Sequence, residues 1–159
     1  MNNMKLLNLS YESLKSGITI RYARIDPNLP AFKEPTYNGD AGYDLYASKS
    51  YWVFPFKITK MTTNVCFEIP IGFFGRICGR SGHILQGKMV AAGTVDASYR
   101  GEVHVTMWSL FPCKIKVGQR IGQIIFMPCM VNNQMIEVQP EELSTTARGD
   151  KGFNSTGIE

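Results

Sequence analysis

Glu102-Val103-His104-Val105-Thr106-Met107-Trp108 places Val103, Val105 and Met107 on one face and polar or amphipathic side chains on the other. This is the period-two pattern of a strand resting one face on a core. The stretches on either side repeat it. Toward the C-terminus, Lys114-Ile115-Lys116-Val117 and Ile121-Gly122-Gln123-Ile124-Ile125-Phe126 read as strands. Toward the N-terminus, Met89–Val95 reads as a hairpin bent at its small residues. Phe73–Cys78, Val65–Ile69 (closed by Pro70 and Gly72), Tyr51–Phe54 and Leu45–Ala47 are further short strands. Ile18–Ile25 alternates as a half-buried strand and is broken by Asp26-Pro27. Strands recurring about every 8–12 residues, with no long helical period, predict an all-β sandwich or barrel. One short helix is expected near Ser81–Gln86.

Composition agrees. Val, Ile and Thr together number 33 against 17 for Ala plus Leu, a bias toward strands. With 159 residues, 44% apolar and 19% charged, the chain suits one domain and excludes a disordered chain or a coiled coil. Three regions are expected: an N-terminal arm over 1–17, a β-domain over 18–143 and a polar, Gly-rich C-terminal arm over 144–159. The formal charge of +4 suits an anionic ligand but is too small to indicate nucleic-acid binding. No apolar run reaches the roughly 18 residues of a membrane span, and the first nine residues do not form a signal peptide. No direct binding to nucleic acid or membrane is expected, and the location defaults to the cytoplasm. Cys66, Cys78, Cys113 and Cys129 form no C-x-x-C pair. They read as reduced, mostly buried thiols, without a zinc site.

Five segments carry more functional side chains than a plain β-domain needs. In Asp40-Ala41-Gly42-Tyr43-Asp44-Leu45, a carboxylate beside a Gly turn suits either a hydrated metal or a turn cap. In Gly79-Arg80-Ser81-Gly82, Arg80 offers a planar donor fork and Ser81 a hydroxyl, with glycines that admit an anion to the backbone. Asp96, after an apolar run, suits a base acting on water, and Tyr99 suits stacking on a sugar. Gly118-Gln119-Arg120-Ile121-Gly122-Gln123-Ile124-Ile125 suits either a tight turn entering a strand or a ligand role. The tail bears Arg148, Phe153, Ser155 and Thr156, as a phosphate lid with a base-stacking ring would.

Taken in order, these segments resemble the five motifs of the trimeric dUTP pyrophosphatase (dUTPase) family. Ala41–Leu45, Arg80–Gly82, Asp96 with Tyr99–Glu102, Gly118–Ile125 and Arg148–Gly157 match them over nearly the whole chain. The resemblance implies a distorted antiparallel jelly-roll barrel and hydrolysis of dUTP to dUMP and pyrophosphate with Mg2+. It implies a homotrimer whose sites are shared between chains. By motif position, Asp96 would activate the water that attacks the α-phosphate, and Asp44 would hold waters of the Mg2+ shell. Arg80, Ser81, Gly82 and Gln123 would bind phosphates, and Tyr99 would exclude a 2′-hydroxyl. Val90–Gly93, through Ala92 and Gly93, would read uracil with backbone amides. Phe153 would cover the base while Arg148, Ser155 and Thr156 close over the γ end. A related dCTP deaminase would need a catalytic Glu near the base, and 83–95 contains no acidic residue.

Departures from the family pattern are Cys78-Gly79 where Ala-Pro is usual and His83 where Leu is usual. Ala97-Ser98 stands for an acidic pair, Gly122 for Ala and Asn154 for Gly. They lean toward a diverged viral member, which would place the protein in the host cytoplasm or nucleus. His83 is expected on the solvated surface.

Overall fold

The computed structural model describes residues 17–147 except 31–34, 36, 38 and 132. The N-terminal arm up to residue 16, and Arg148, Phe153, Ser155 and Thr156 of the tail, lie outside the described residues.

Among the described residues the regular structure is nearly all strand, every pairing antiparallel. They are β1 (Arg21–Arg24), β2 (Gly42–Tyr46), β3 (Tyr51–Val53), β4 (Thr59–Thr62), β5 (Val65–Glu68), β6 (Phe73–Cys78), β7 (Lys88–Val90), β8 (Gly93–Val95), β9 (His104–Ser109), β10 (Cys113–Ile115) and β11 (Arg120–Pro128). A single helical turn, α1 (Ser81–Leu85), sits where the sequence placed it, and a short 3-10 turn covers Pro140–Glu142. Four sheets form, ordered β2-β11-β6-β8, β4-β9-β7, β1-β5 and β10-β3.

The period-two readings account for the core. Val103, Val105 and Met107 are buried as the opening stretch predicts, with Leu45, Val53, Met61, Phe67, Ile77, Val95, Ile115, Ile121 and Ile124. Edge-to-face ring contacts run from Tyr43 to Phe126 (5.7 Å) and from Phe126 to Phe67 (5.3 Å), a geometry that aromatic pairs favour. They fix β2 and β11 to the interior. Gly42, Asp44 and Tyr46 then face the other way, because neighbours on a strand point oppositely.

Three elements depart from expectation. Residues 21–24 of β1 are all exposed rather than half-buried. The strand lies along β5 in the register Arg21↔Glu68 to Arg24↔Val65, and Tyr22 reaches the core ring of Phe67 at 6.4 Å while staying half exposed. Strand β4 escapes the pattern because Thr59-Lys60-Met61-Thr62 offers only one strongly apolar side chain. The expected Met89–Val95 hairpin does not form a ladder with itself. Strand β7 pairs with β9, and β8 pairs with β6. Ala91 and Ala92 therefore carry the chain from one sheet to another. The four cysteines are unpaired, as expected, but half-buried rather than fully enclosed.

Asn64 ties the turn after β4 to two loops. It adopts a left-handed backbone (φ 64°), which Asn tolerates better than most residues. Its side chain accepts from the Asp26 amide (2.7 Å) and donates to the Asp26 carbonyl (2.8 Å). Its own amide donates to the Glu102 carboxylate (2.7 Å). Thr63 Oγ1 donates to the Val103 carbonyl (2.6 Å) beside it. The loop that carries Asp96 and Tyr99 is thereby held at its far end. Replacing Asn64 with Ala removes both side-chain bonds at a site only 4% exposed. Urea denaturation is expected to show a loss of about 2–3 kcal/mol; a change below 0.5 kcal/mol would contradict this role.

Candidate functional site

A polar cleft of about 820 Å3 opens beside β2, α1 and β11, lined among others by Asp44, Tyr46, Arg80, Ser81, Arg120 and Gln123. Register explains why these side chains meet. Asp44 faces Gln123, and Tyr46 faces Arg120, across the β2–β11 ladder. Residues 120 and 123 would point to opposite faces of a regular strand. The register shifts between Arg120 and Gly122, and Ile121 and Gly122 are both buried in succession. This bulge lets Arg120 and Gln123 share the cleft while Ile121 and Ile124 share the core. Gly122 fits because a Cβ there would press on the Cys78 carbonyl and Val105.

Asp44 is the electrostatic centre of the cleft. Its Oδ1 takes Arg80 Nε at 2.8 Å, and its Oδ2 takes Arg120 Nη1 at 3.4 Å. One carboxylate thus lies between two guanidinium groups. Burial, then the Asp44 charge, push the Tyr46 phenol above its ordinary range, against the pull of Arg120 and Arg80. Arg80 sits at the N-terminal boundary of α1, with Ser81 and Gly82 in its first turn. Gln123 Nε2 donates to the Gly79 carbonyl (3.1 Å). Gly42 is required opposite: a Cβ there would strike the Gln123 amide.

Ala92, Gly93, Asp96 and Tyr99 do not line this cleft. They follow one another on β8 and the exposed loop after it. Gly93 pairs with Ile77 of β6, and the Tyr99 amide donates to the Asp96 carbonyl (3.0 Å). Tyr99 Oη donates to the Glu102 carbonyl (3.0 Å). Gly101 leaves room for that ring, which a Cβ would meet head-on. Arg100 closes the loop by donating to the Ala97 and Tyr99 carbonyls. Within one chain, then, the expected residues form two sets: a charged cleft, and a separate loop with an exposed carboxylate and an exposed ring.

Sequence reasoning gave Arg120 no role, although the structure makes it the second partner of Asp44. The signal was present in the i, i+2 run Gly42, Asp44, Tyr46, but finding it required knowing that β11 slips by one residue. His83 corrects an expectation. It is buried, not solvated, and its Nδ1 has no hydrogen-bond partner. The reason is that α1 lies against β7 and turns the imidazole inward. Burial, and then Lys88 and Arg80, hold His83 below its ordinary pKa, partly opposed by a backbone hydrogen bond with Arg120 and by Asp44.

No group of three or more His, Cys, Asp or Glu side chains suited to a metal ion occurs among the described residues. Asp44 is the carboxylate at the centre of the charged pair in the cleft. Asp44, with Asp40 also lining the cleft, fits Mg2+ that keeps its waters and is shared with phosphates, since this ion is commonly held by one or two carboxylates. It does not fit an all-protein cage.

The dUTPase family model matches residues 31–157. The deoxyuridine 5'-triphosphate nucleotidohydrolase of Candida albicans is 38% identical over 133 residues, covering 80% of this chain and 83% of that protein. The Fowlpox virus protein of the same name is 38% identical over 131 residues, covering 80% and 88%. Among solved structures, Staphylococcus bacteriophage 80alpha dUTPase with dUPNHPP superposes with a TM-score of 0.77 at 23% identity, over 88% of this chain and 99% of that one. A mutant dUTPase from phage phi11 of S. aureus, described as revealing the coordination of a structural Mg(II) ion, has a TM-score of 0.71 at 18% identity, over 78% and 99%. These two structures share the fold.

Two outcomes test the geometry. Gly42→Ala is expected to displace the Gln123 amide and weaken tripolyphosphate binding about tenfold by calorimetry, the value of one hydrogen bond, with the thermal midpoint little changed. His83 is held below its unfolded pKa, so the unfolded chain takes up the proton first. Stability is therefore fully present above about pH 6.5 and falls as the pH drops below it. His83→Leu should flatten that decline between pH 7 and 5 in denaturant titrations; an unchanged slope would refute it.

Proposed function

The chain belongs to the dUTPase family, and from that premise we propose that it hydrolyses dUTP to dUMP and pyrophosphate by attack of water on the α-phosphate. Such a reaction keeps uracil out of DNA and supplies dUMP for thymidylate synthesis. The observation that carries the reading is Asp44 held between Arg80 and Arg120 at a polar cleft that Ser81 and Gln123 also line. Phosphoryl chemistry depends on positioning and neutralising charge rather than on covalent help from the protein. The cleft supplies cationic forks, a hydroxyl and an amide donor for that purpose.

The roles follow from the residues. Arg80 trades its Asp44 partner for phosphate oxygens as substrate enters, with Ser81, the Gly82 backbone and Gln123 as further donors. Asp44, so released, would be the residue to hold a hydrated Mg2+ beside the triphosphate. That ion supplies charge neutralisation when bound. Asp96 is exposed and takes the proton from the attacking water. Tyr99 packs under the deoxyribose and leaves no space for a 2′-hydroxyl. The amides around Ala92 and Gly93 pair with uracil, where small side chains allow a close approach. Arg148, Phe153, Ser155 and Thr156 of the C-terminal arm close over the γ-phosphate and base.

Separation of the charged cleft from the Asp96–Tyr99 loop supports a shared site. A cleft from one protomer, completed by the loop and arm of others, gives a homotrimer. Solution mass is then expected at about three times 17.8 kDa.

With Mg2+, the protein should release pyrophosphate from dUTP and barely from dTTP, dCTP or UTP. Equal turnover of UTP would remove the Tyr99 role. Asp96→Asn should lower kcat about 10²–10⁴-fold, the usual contribution of a general base, while dUTP still binds. A monomer that retains full activity would contradict the shared site.

A further inference from the structure

A second surface lies on elements that supply none of the residues above. Strands β3 and β10 form a two-stranded sheet with Trp52 opposite Lys114, so both side chains share its outer face. Trp52 is 57% exposed and stacks on Phe54 at 6.0 Å with an interplanar angle of 20°. A turn follows, closed by the Lys57 amide donating to the Phe54 carbonyl (3.4 Å). Pro55 and Phe56 are its central residues. Phe56 has φ 59° and is fully exposed. That position of a Pro-initiated turn ordinarily takes Gly or Asn. A bulky ring held there costs backbone energy and gains no contact from this chain's core. Ile58 follows at 70% exposed, and Phe111, at 68%, precedes β10.

Charge is just as uneven. Residues 47–63 and 110–119 contain Lys49, Lys57, Lys60, Lys114 and Lys116 and no carboxylate. All five lysines are exposed. Five positive charges exceed the formal excess of +4 for the whole chain. The stem beneath is firm: Val53 is fully buried, and the Tyr51 hydroxyl bonds Thr62 at both its hydroxyl (2.6 Å) and its amide (2.8 Å).

We propose that this aromatic turn and its lysines dock the protein onto an anionic membrane surface. The shape favours a bilayer over a peptide or a nucleic-acid strand. A fully exposed apolar ring on a projecting turn suits a medium that can close around it. Trp and Phe are side chains of the membrane interface, and lysines beside them are drawn to acidic headgroups. Among the described residues no helix is long and apolar enough to cross a membrane; docking on one needs no such helix. In a cyclic trimer, symmetry sets the three turns at one height along the axis, so engagement of more than one adds avidity.

Co-sedimentation tests this with the full chain and vesicles of pure phosphatidylcholine or of phosphatidylcholine with 30% phosphatidylserine. Binding is expected on the anionic vesicles, little on the neutral ones, with loss in high salt. Phe56→Gly suits the turn and preserves folding, yet should weaken binding about tenfold, roughly the effect of withdrawing much of one ring from apolar contact. Lys57→Ala and Lys114→Ala should each weaken it about fivefold. Pyrophosphate release from dUTP and solution mass should be unchanged in all three variants. No binding by the wild-type chain, equal binding to neutral vesicles, or Phe56→Gly binding like wild type would overturn the proposal. So would a change in solution mass with Phe56→Gly, which would make the turn a contact between copies.

Discussion

The one-residue slip in β11 is the constraint on which the rest of the site depends. This strand is paired along both edges, to β2 on one side and β6 on the other, so its side chains have no freedom to choose a face. A regular strand through Arg120–Ile124 would place either Arg120 or Gln123 against the core. A buried, unpaired guanidinium costs several kcal/mol, far more than a bulge. The slip at Ile121–Gly122 resolves the conflict locally. It keeps Ile121 and Ile124 inside with Leu45 and Ile77 and leaves two polar donors facing Asp44.

Given that register, the charge pattern is nearly determined. Asp44 stands on the outer face of β2 because Tyr43 and Leu45 are drawn inward, the first by Phe126 and the second by the core. Arg80 comes from the end of β6 as α1 begins. Asp44 meets both guanidinium groups and Asp40 also lines the cleft, so its charges balance, and the ion pairs hold the forks extended before a ligand arrives. A polyanion entering the cleft then meets oriented donors, which limits the reorganisation that binding requires.

Much of this was legible in the sequence. The strands with clean alternation, β5, β6 and β9, stand where the pattern put them, because each has one face on the core and the other away from it. What failed had physical causes. Strand β1 is exposed on every residue even where Tyr22 reaches Phe67, and β4 shows only Met61 as a strong signal. Residues Met89–Val95 look like a hairpin because small residues permit a bend, but bending does not fix partners: each half finds a different neighbour. Asp44, Arg80, Ser81 and Gln123 stood out only together, through the order and spacing of their segments, whereas the pairing of Arg120 with Asp44 depended on the bulge. The inward turn of His83 depended on which face of a five-residue helix meets β7. Neither is a property of local pattern.

The crossing at Ala91–Ala92 has a consequence of its own. On one side β7 is registered to β9, and on the other β8 is registered to β6. The backbone proposed to read the base is therefore the seam between two sheets, not the tip of a self-contained loop. Such a seam works as a caliper whose jaws are set by the thickness of the interior. Ile77 packs behind Gly93, where a Cβ would meet its side chain at 3.3 Å, so the base reading proposed for this backbone would rest on apolar packing on the far side of the seam.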